Sequence, residues 1–123
     1  MTTGSSGLDL YSTASVSVSD KKQVVVGTGI CVRIPSGYEG HVRPRSGLFS
    51  EYGVLTLFGT IDNDYRGEIR VGLYCVHCES VEIPIGTRIA QLVISPVAFP
   101  DILVVDKLSD TDRGDGGFGH TGY

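Results

Sequence analysis

Lysine is scarce in this chain: Lys21, Lys22 and Lys107 stand against seven arginines, Arg33, Arg43, Arg45, Arg66, Arg70, Arg88 and Arg113. With a net charge of −4, it lacks the basic face that a general nucleic-acid or membrane-surface binder needs to displace counterions or meet anionic lipid. Stable nucleic-acid binding and a membrane partner are therefore not expected. The arginine bias points elsewhere, because the planar guanidinium grips phosphate or carboxylate through paired hydrogen bonds, so a small anionic ligand suits an acidic protein. Long apolar runs are missing as well. No stretch approaches the roughly 18–20 apolar residues of a membrane span, and the opening MTTGSSG has neither the basic patch nor the apolar segment of a secretory signal. An intracellular protein, cytoplasmic or nuclear, is expected, and a viral or phage gene would suit so short a chain as well as a bacterial one. Cysteine is limited to Cys31, Cys75 and Cys78, an odd number that argues against a disulfide framework in such a compartment. Helical periodicity is almost absent.

What is present is strand. The 123 residues suffice for one domain, and 17 glycines are about twice the usual share, which predicts many turns. The run 24–35 (VVVGTGICVRIP) is rich in β-branched residues, and 68–78 (EIRVGLYCVHC) sets Ile69, Val71, Leu73 and Cys75 on one face at period two. Further strands are predicted at 39–44, 54–61, 80–86, 88–97 and 101–106, separated by Ser-Gly, Pro and Asn-Asp turn chemistry. Seven or more short strands mean a sandwich or barrel. One short helix is predicted over 46–53 (SGLFSEYG), capped by Ser46 and ended by Gly53.

Polar segments interrupt this apolar pattern at 7–12 (GLDLYS), 43–48 (RPRSGL), 59–68 (GTIDNDYRGE) and 113–122 (RGDGGFGHTG), and 86–92 (GTRIAQL) sets Arg88 and Gln91 among core-like residues. Polar groups in such places need partners, so these are candidate sites. The PRSG segment reads either as an ordinary capping turn or as a helix start offering free N–H groups, Arg45 and the Ser46 hydroxyl to an anion. The 59–68 segment is either a plain hairpin turn around Asn63-Asp64 or a reactive one, and Asp62, following an apolar run, is the carboxylate expected to be desolvated, as a general base requires. CVHC at 75–78 lacks the second ligand pair that structural zinc needs, which favours a strand bearing two thiols and an exposed His77. His41 and His120 stand singly, so no Cys-His pair is expected. The RGD of 113–115 is a three-residue match of the kind chance supplies.

Taken in order, SSGLDLYS, PRSGL, GTIDNDYRGE, GTRIAQL and RGDGGFGHTG resemble the five motifs of the homotrimeric dUTP pyrophosphatases, and they span essentially the whole chain. The resemblance implies a distorted jelly roll, barrel- or sandwich-like and all-β with one short helix, assembled as a threefold homotrimer that exchanges C-terminal tails and shares each active site among three subunits. Residues 1–112 would be the β domain and 113–123 its flexible glycine-rich lid. The implied reaction is hydrolysis of dUTP to dUMP and pyrophosphate by attack of water on the α-phosphate, with Mg²⁺ on the triphosphate; it limits uracil in DNA and supplies dUMP for thymidylate synthesis. Asp62 matches the water-activating carboxylate, and Tyr65 the ring that packs on deoxyribose and leaves no room for a 2′-hydroxyl. Backbone near Gly59 and Thr60 would read uracil. Arg45, Ser46, Gly47 and Gln91 match phosphate-side groups, and Asp9 matches a carboxylate with an indirect metal role. In the lid, Phe118 would stack on uracil while Arg113 and Thr121 engage the γ-phosphate, with Gly117 allowing close backbone approach. Two positions depart from the family pattern: Asp115 stands where a small or neutral residue is usual, and His120 where Ser is usual. A carboxylate there repels a triphosphate and a protonated imidazole donates to it, so tighter binding at mildly acid pH is expected. The alternatives are a catalytically weak interaction module on the same fold, or a relative of the dCTP deaminases, which differ in the third motif and the tail.

Overall fold

A computed structural model describes residues 2–119, 121 and 122. Along the chain run β1 (Leu8–Tyr11), β2 (Val16–Val18), β3 (Val24–Gly27), β4 (Tyr38–Arg43), α1 (Ser46–Tyr52), β5 (Val54–Thr56), β6 (Gly59–Ile61), β7 (Arg70–Cys75), β8 (Val81–Ile83) and β9 (Arg88–Pro96). They form a four-stranded sheet in the order β1-β9-β4-β6, a three-stranded sheet β3-β7-β5 and a pair β2-β8. All pairings are antiparallel. The all-β class with one short helix is thus what the sequence patterning predicts. No helix among the described residues is long and apolar enough to cross a membrane.

The period-two pattern of β7 holds: Ile69, Val71 and Leu73 are fully buried and Cys75 nearly so, while Arg70, Gly72 and Tyr74 alternate outward. From the four-stranded sheet, Leu10, Val42, Ala90 and Leu92 point into the same cluster, joined by Val18, Val26, Val54, Ile83 and Ile89. One contiguous core results. Thr56 and Thr28 enter it because their hydroxyls are satisfied, donating to the Ile89 and Ile69 carbonyls at 2.6 and 2.7 Å.

Several expectations need correction. The run 54–61 is two strands rather than one: Leu57 donates its N–H to Gly72 at 2.9 Å beside β7, and the chain then crosses to β4, so β5 and β6 belong to different sheets. Gly72 permits this crossing, since a Cβ there would lie 2.6 Å from the Leu57 side chain. The predicted strand 101–106 has no ladder; Ile102, Leu103 and Val104 are 82–92% exposed, and β-branched composition without a neighbouring edge or an apolar cover does not make a strand. Ser46 does not cap α1. Arg45, extended at φ −114 and ψ 134, holds the cap position without a side-chain cap bond, whereas Gly53 closes the helix in the left-handed region at φ 66 as predicted. Strands β1 and β2 went unread, being short and half polar. Cys75 and Cys78 form a disulfide, against the expectation from their odd count; the turn after β7, with His77 at φ 61, returns the chain so that their Cα atoms are 6.2 Å apart.

Replacing Leu73 by Ala should cost about 2–5 kcal/mol, the transfer term plus a residual cavity. Urea unfolding at fixed protein concentration reads this as a lowered midpoint; an unchanged midpoint would place Leu73 outside the packed core.

Candidate active site

The four-stranded sheet buries one face, so the alternate residues of the same strands point outward. Register aligns Asp9 with Gln91 and Gln91 with Arg43, His41 with Val93 and Thr60, and Glu39 with Ser95. Most of the expected site chemistry therefore lies on one outward surface or at its ends.

At the β6 end, Thr60 and Asp62 line a cavity of about 200 Å³ with Ile61, Tyr65, Glu68, Ile69 and Arg70. Asn63-Asp64 forms the tip of a turn closed by Tyr65 N–H on the Asp62 carbonyl at 3.1 Å, and Arg66 clamps it by donating to the Asn63 and Tyr65 carbonyls at 2.7 and 2.9 Å. This turn joins two sheets instead of two paired strands, so it is not the simple hairpin of the sequence reading. Tyr65 donates its hydroxyl to the Glu68 carbonyl at 2.9 Å, folding its ring over Gly67, where a Cβ would lie 2.5 Å from the phenol oxygen. Glu68 in turn accepts the Gly29 N–H at 2.9 Å, anchoring the segment to the loop after β3. Gly59 and Thr60 lie on an edge strand: β6 pairs with β4 on one side and with no described strand on the other, which leaves backbone donors and acceptors free to meet a ligand. Asp62 is solvent-exposed, contrary to its expected desolvation, because within one chain nothing covers the turn.

At the β1 end, Asp9, Arg45 and Gln91 line a second cavity of about 390 Å³ with Ser5, Ser6 and Gly7. Asp9 is 14% exposed and ion-paired to Arg45, with Arg88 at 3.7 Å from its other oxygen. Two guanidinium groups thus converge on one carboxylate, which fixes Arg45 at the mouth of the cavity. Gln91 donates to the Pro44 carbonyl at 2.9 Å, tying β9 to the start of α1, where Ser46 and Gly47 are exposed and the first-turn N–H groups lack intrahelical partners. Gly7 is obligatory here: a Cβ would lie 2.2 Å from the Gln91 side-chain oxygen and 2.9 Å from its Cβ. Arg88 was noted in its motif but not as a site residue; its pairing with Asp9 emerges only from the β1·β9 register.

Asp9 and Asp62 are three strands apart and offset by four residues along the sheet, a separation of roughly 19 Å at standard strand spacings. The tail stands away from both. Arg113 donates to the Gly116 carbonyl at 2.8 Å within its own segment, and Gly117, Phe118 and Thr121 are exposed, Phe118 fully so. The expectations for His120 lie outside the described residues; Asp115 is exposed. Among the described residues no group of three or more His, Cys, Asp or Glu could hold a metal ion, and the Asp9 carboxylate is already engaged by arginines.

An all-β scaffold with an open strand edge beside a carboxylate and a tyrosine, and an arginine-lined cavity at the other end of the sheet, defines a protein built to hold a small anionic ligand. The family model of the dUTPases matches residues 1–122, and the chain belongs to that family. It is 49% identical over 124 residues to the deoxyuridine 5'-triphosphate nucleotidohydrolase of Hydrogenobaculum, covering 98% of this chain and 86% of that one. The protein of the same name from Paramecium bursaria Chlorella virus 1 is 45% identical over 119 residues, covering 97% and 84%. Among solved structures, the dUTPase of Staphylococcus bacteriophage 80alpha with dUPNHPP superposes with a TM-score of 0.89 at 28% identity, over 100% of this chain and 89% of that one.

Gly7→Ala should cost about 1–3 kcal/mol by overpacking and release Gln91 from Pro44. Urea unfolding reads the first effect. The Gln91 side-chain amide resonances, moved towards free-amide positions, read the second; unmoved resonances would show that the cavity absorbs the methyl group without yielding Gln91.

Proposed function

We propose that the chain hydrolyses dUTP to dUMP and pyrophosphate, as a homotrimer in which each active site draws on three subunits. The observation that carries the shared site is the split across the sheet. A carboxylate that orients water must sit within hydrogen-bond reach of it, about 3 Å, yet Asp62 and the Arg45 group of one chain are separated by about twice the length of a triphosphate, roughly 19 Å. One chain supplies both halves of a site but not to the same substrate. In the trimer, Asp62, Tyr65 and the β6 edge of one subunit would face Arg45, Ser46, Gly47 and Gln91 of a second, under the tail of a third.

The geometry supports the following mechanism. The free edge at Gly59 and Thr60 would hydrogen-bond the uracil edge, and close backbone contact there leaves no space for a 5-methyl group. Tyr65, held by Glu68 and seated on Gly67, would present its ring to the deoxyribose; a 2′-hydroxyl would meet it sterically. Asp62 would accept a proton from water and aim it in line at the α-phosphorus. Arg45, held in place by Asp9, would spread positive charge over the phosphates where negative charge develops, with the hydroxyl of Ser46, backbone at Gly47 and the amide of Gln91 beside it. Phe118 would stack on the base, and Arg113 and Thr121 would meet the γ-phosphate, with Gly117 between them. The described residues do not fit a protein-held metal site, so magnesium would arrive on the triphosphate and touch Asp9 only through water. Such an activity limits uracil in DNA and feeds thymidylate synthesis, which would place it with the DNA precursors, in cytoplasm or nucleus.

Incubation with dUTP, dCTP, UTP and dTTP in the presence of Mg²⁺ tests the reading: dUMP and pyrophosphate should form from dUTP alone. No turnover by a folded trimer would favour an interaction module, and deamination of dCTP the deaminase-type relative. Asp62→Asn should lower kcat by about 10²–10⁴-fold with little change in dUTP binding. Deleting residues 113–123 should abolish turnover while sedimentation still shows a trimer; undiminished turnover would remove the tail from the site.

A further inference from the structure

On β4, His41 Nε2 lies 2.9 Å from Glu39 Oε1, an i, i+2 pair on the outward face of the sheet. Both side chains are only part exposed, at 30% and 25%. The antiparallel ladder pairs Gly40 with Ile61 and His41 with Thr60, so the next facing residues beyond it are Glu39 and Asp62. Those two carboxylates line one cavity of about 320 Å³, together with Tyr38, Asn63, Asp64, Val97 and Phe99. Asp62 also lines the smaller cavity that holds Thr60 and Tyr65. Facing like charges in a sheet repel each other unless something compensates them. His41 is placed to do so, and none of the five sequence motifs contains it.

We propose that His41 is a positioning residue for the water-orienting carboxylate: its imidazolium neutralises Glu39 and so shields Asp62 from the charge that faces it across β4 and β6. The inference rests on the assignment of Asp62 to hydrolysis. The other charged groups around the pair and Asp62 are Asp64 and Arg66 on the Asp62 turn, Glu68 and Arg70 across the smaller cavity, and Arg43, two residues from His41 on the same face of β4; β9 contributes Val93 opposite His41 and Ser95 opposite Glu39, neither of them charged. Among the described residues His41 alone is paired to Glu39.

The charges give an ordered set of outcomes. In His41→Gln, Glu39 stands uncompensated, and a negative charge beside Asp62 disfavours its ionised form. The acid limb of the kcat profile should move to higher pH by about half a unit, the order expected of one nearby charge in a near-aqueous dielectric. Glu39→Gln leaves the imidazolium alone and should move the limb to lower pH. The double variant Glu39→Gln/His41→Gln should return it to the wild-type position. Loss of packing alone would lower kcat without this reversal of sign. A His41→Gln limb coincident with wild type, or single variants shifting in the same direction, overturns the proposal. The same cycle can be followed by ¹³C NMR titration of the Asp62 carboxyl in the substrate-free protein; the NMR shifts test the pair even if dUTP is not turned over, so failure of one reading is distinguishable from failure of the other.

Discussion

Strand β4 has no room for a side chain at Gly40. A Cβ there would lie 2.9 Å from Ile34 Cδ1 and 3.1 Å from both Ile61 Cβ and Leu92 Cδ1, so β6 and β9 approach β4 closely at this point. Register follows from that close approach. Because side chains alternate with period two, a slip of one residue would exchange the buried and outward faces of the sheet. Val42 and Leu92 would lose their core positions, and His41, Thr60 and Gln91 would turn inward. The packed glycine on the inner face thus determines which residues reach the outer one, and the candidate site inherits its geometry from core packing.

The same sheet shows how much could be read beforehand. Two strands were legible for different reasons: β7 because Ile69, Val71, Leu73 and Cys75 repeat at period two, and β9 because the β-branched Val93 and the helix-breaking Pro96 oppose a helix. Gly53 was legible as a helix end, since its left-handed conformation is a local property. Ser46 reads as a cap from its residue type, but the cap position is set by backbone conformation, and Arg45 is the last extended residue before the helix. The bend at Leu57 and Phe58 was hidden for the same reason, since the strand changes partner rather than composition. Glu39 and His41 were missed although alternation in 39–43 already put them with Arg43 on one face; what the sequence could not supply was the strand lying opposite.

The candidate site was legible as chemistry and not as geometry. Five motifs in order placed the residue types, and the family match confirms their kinship. Nothing in the motifs says that Asp62 and Arg45 lie at opposite ends of one sheet. In the proposed trimer that separation would account for the exposure of Asp62 in the single chain, because water is excluded from a site only when all its walls are present. Tyr65 behaves otherwise, because its orientation is built into its own turn by Glu68 and Gly67 and requires no neighbour.

A chain with a well-sealed core nevertheless leaves Ile102, Leu103, Val104 and Leu108 at least four-fifths exposed in one segment, followed by a wholly exposed Phe118. Scattered apolar residues on a surface are ordinary, but a contiguous apolar run marks a surface awaiting cover. The run joins the end of the β fold to the glycine-rich tail, so any subunit that covered it would also fix where the tail begins. In the proposed trimer, burial of this arm and delivery of Phe118 to a neighbouring site would then be a single event. The free energy that orders the arm would come from apolar burial, which leaves the glycine-rich tail to order on substrate alone. Glycine-rich sequence after residue 113 and apolar sequence up to Leu108 would be, in that arrangement, complementary requirements of one step.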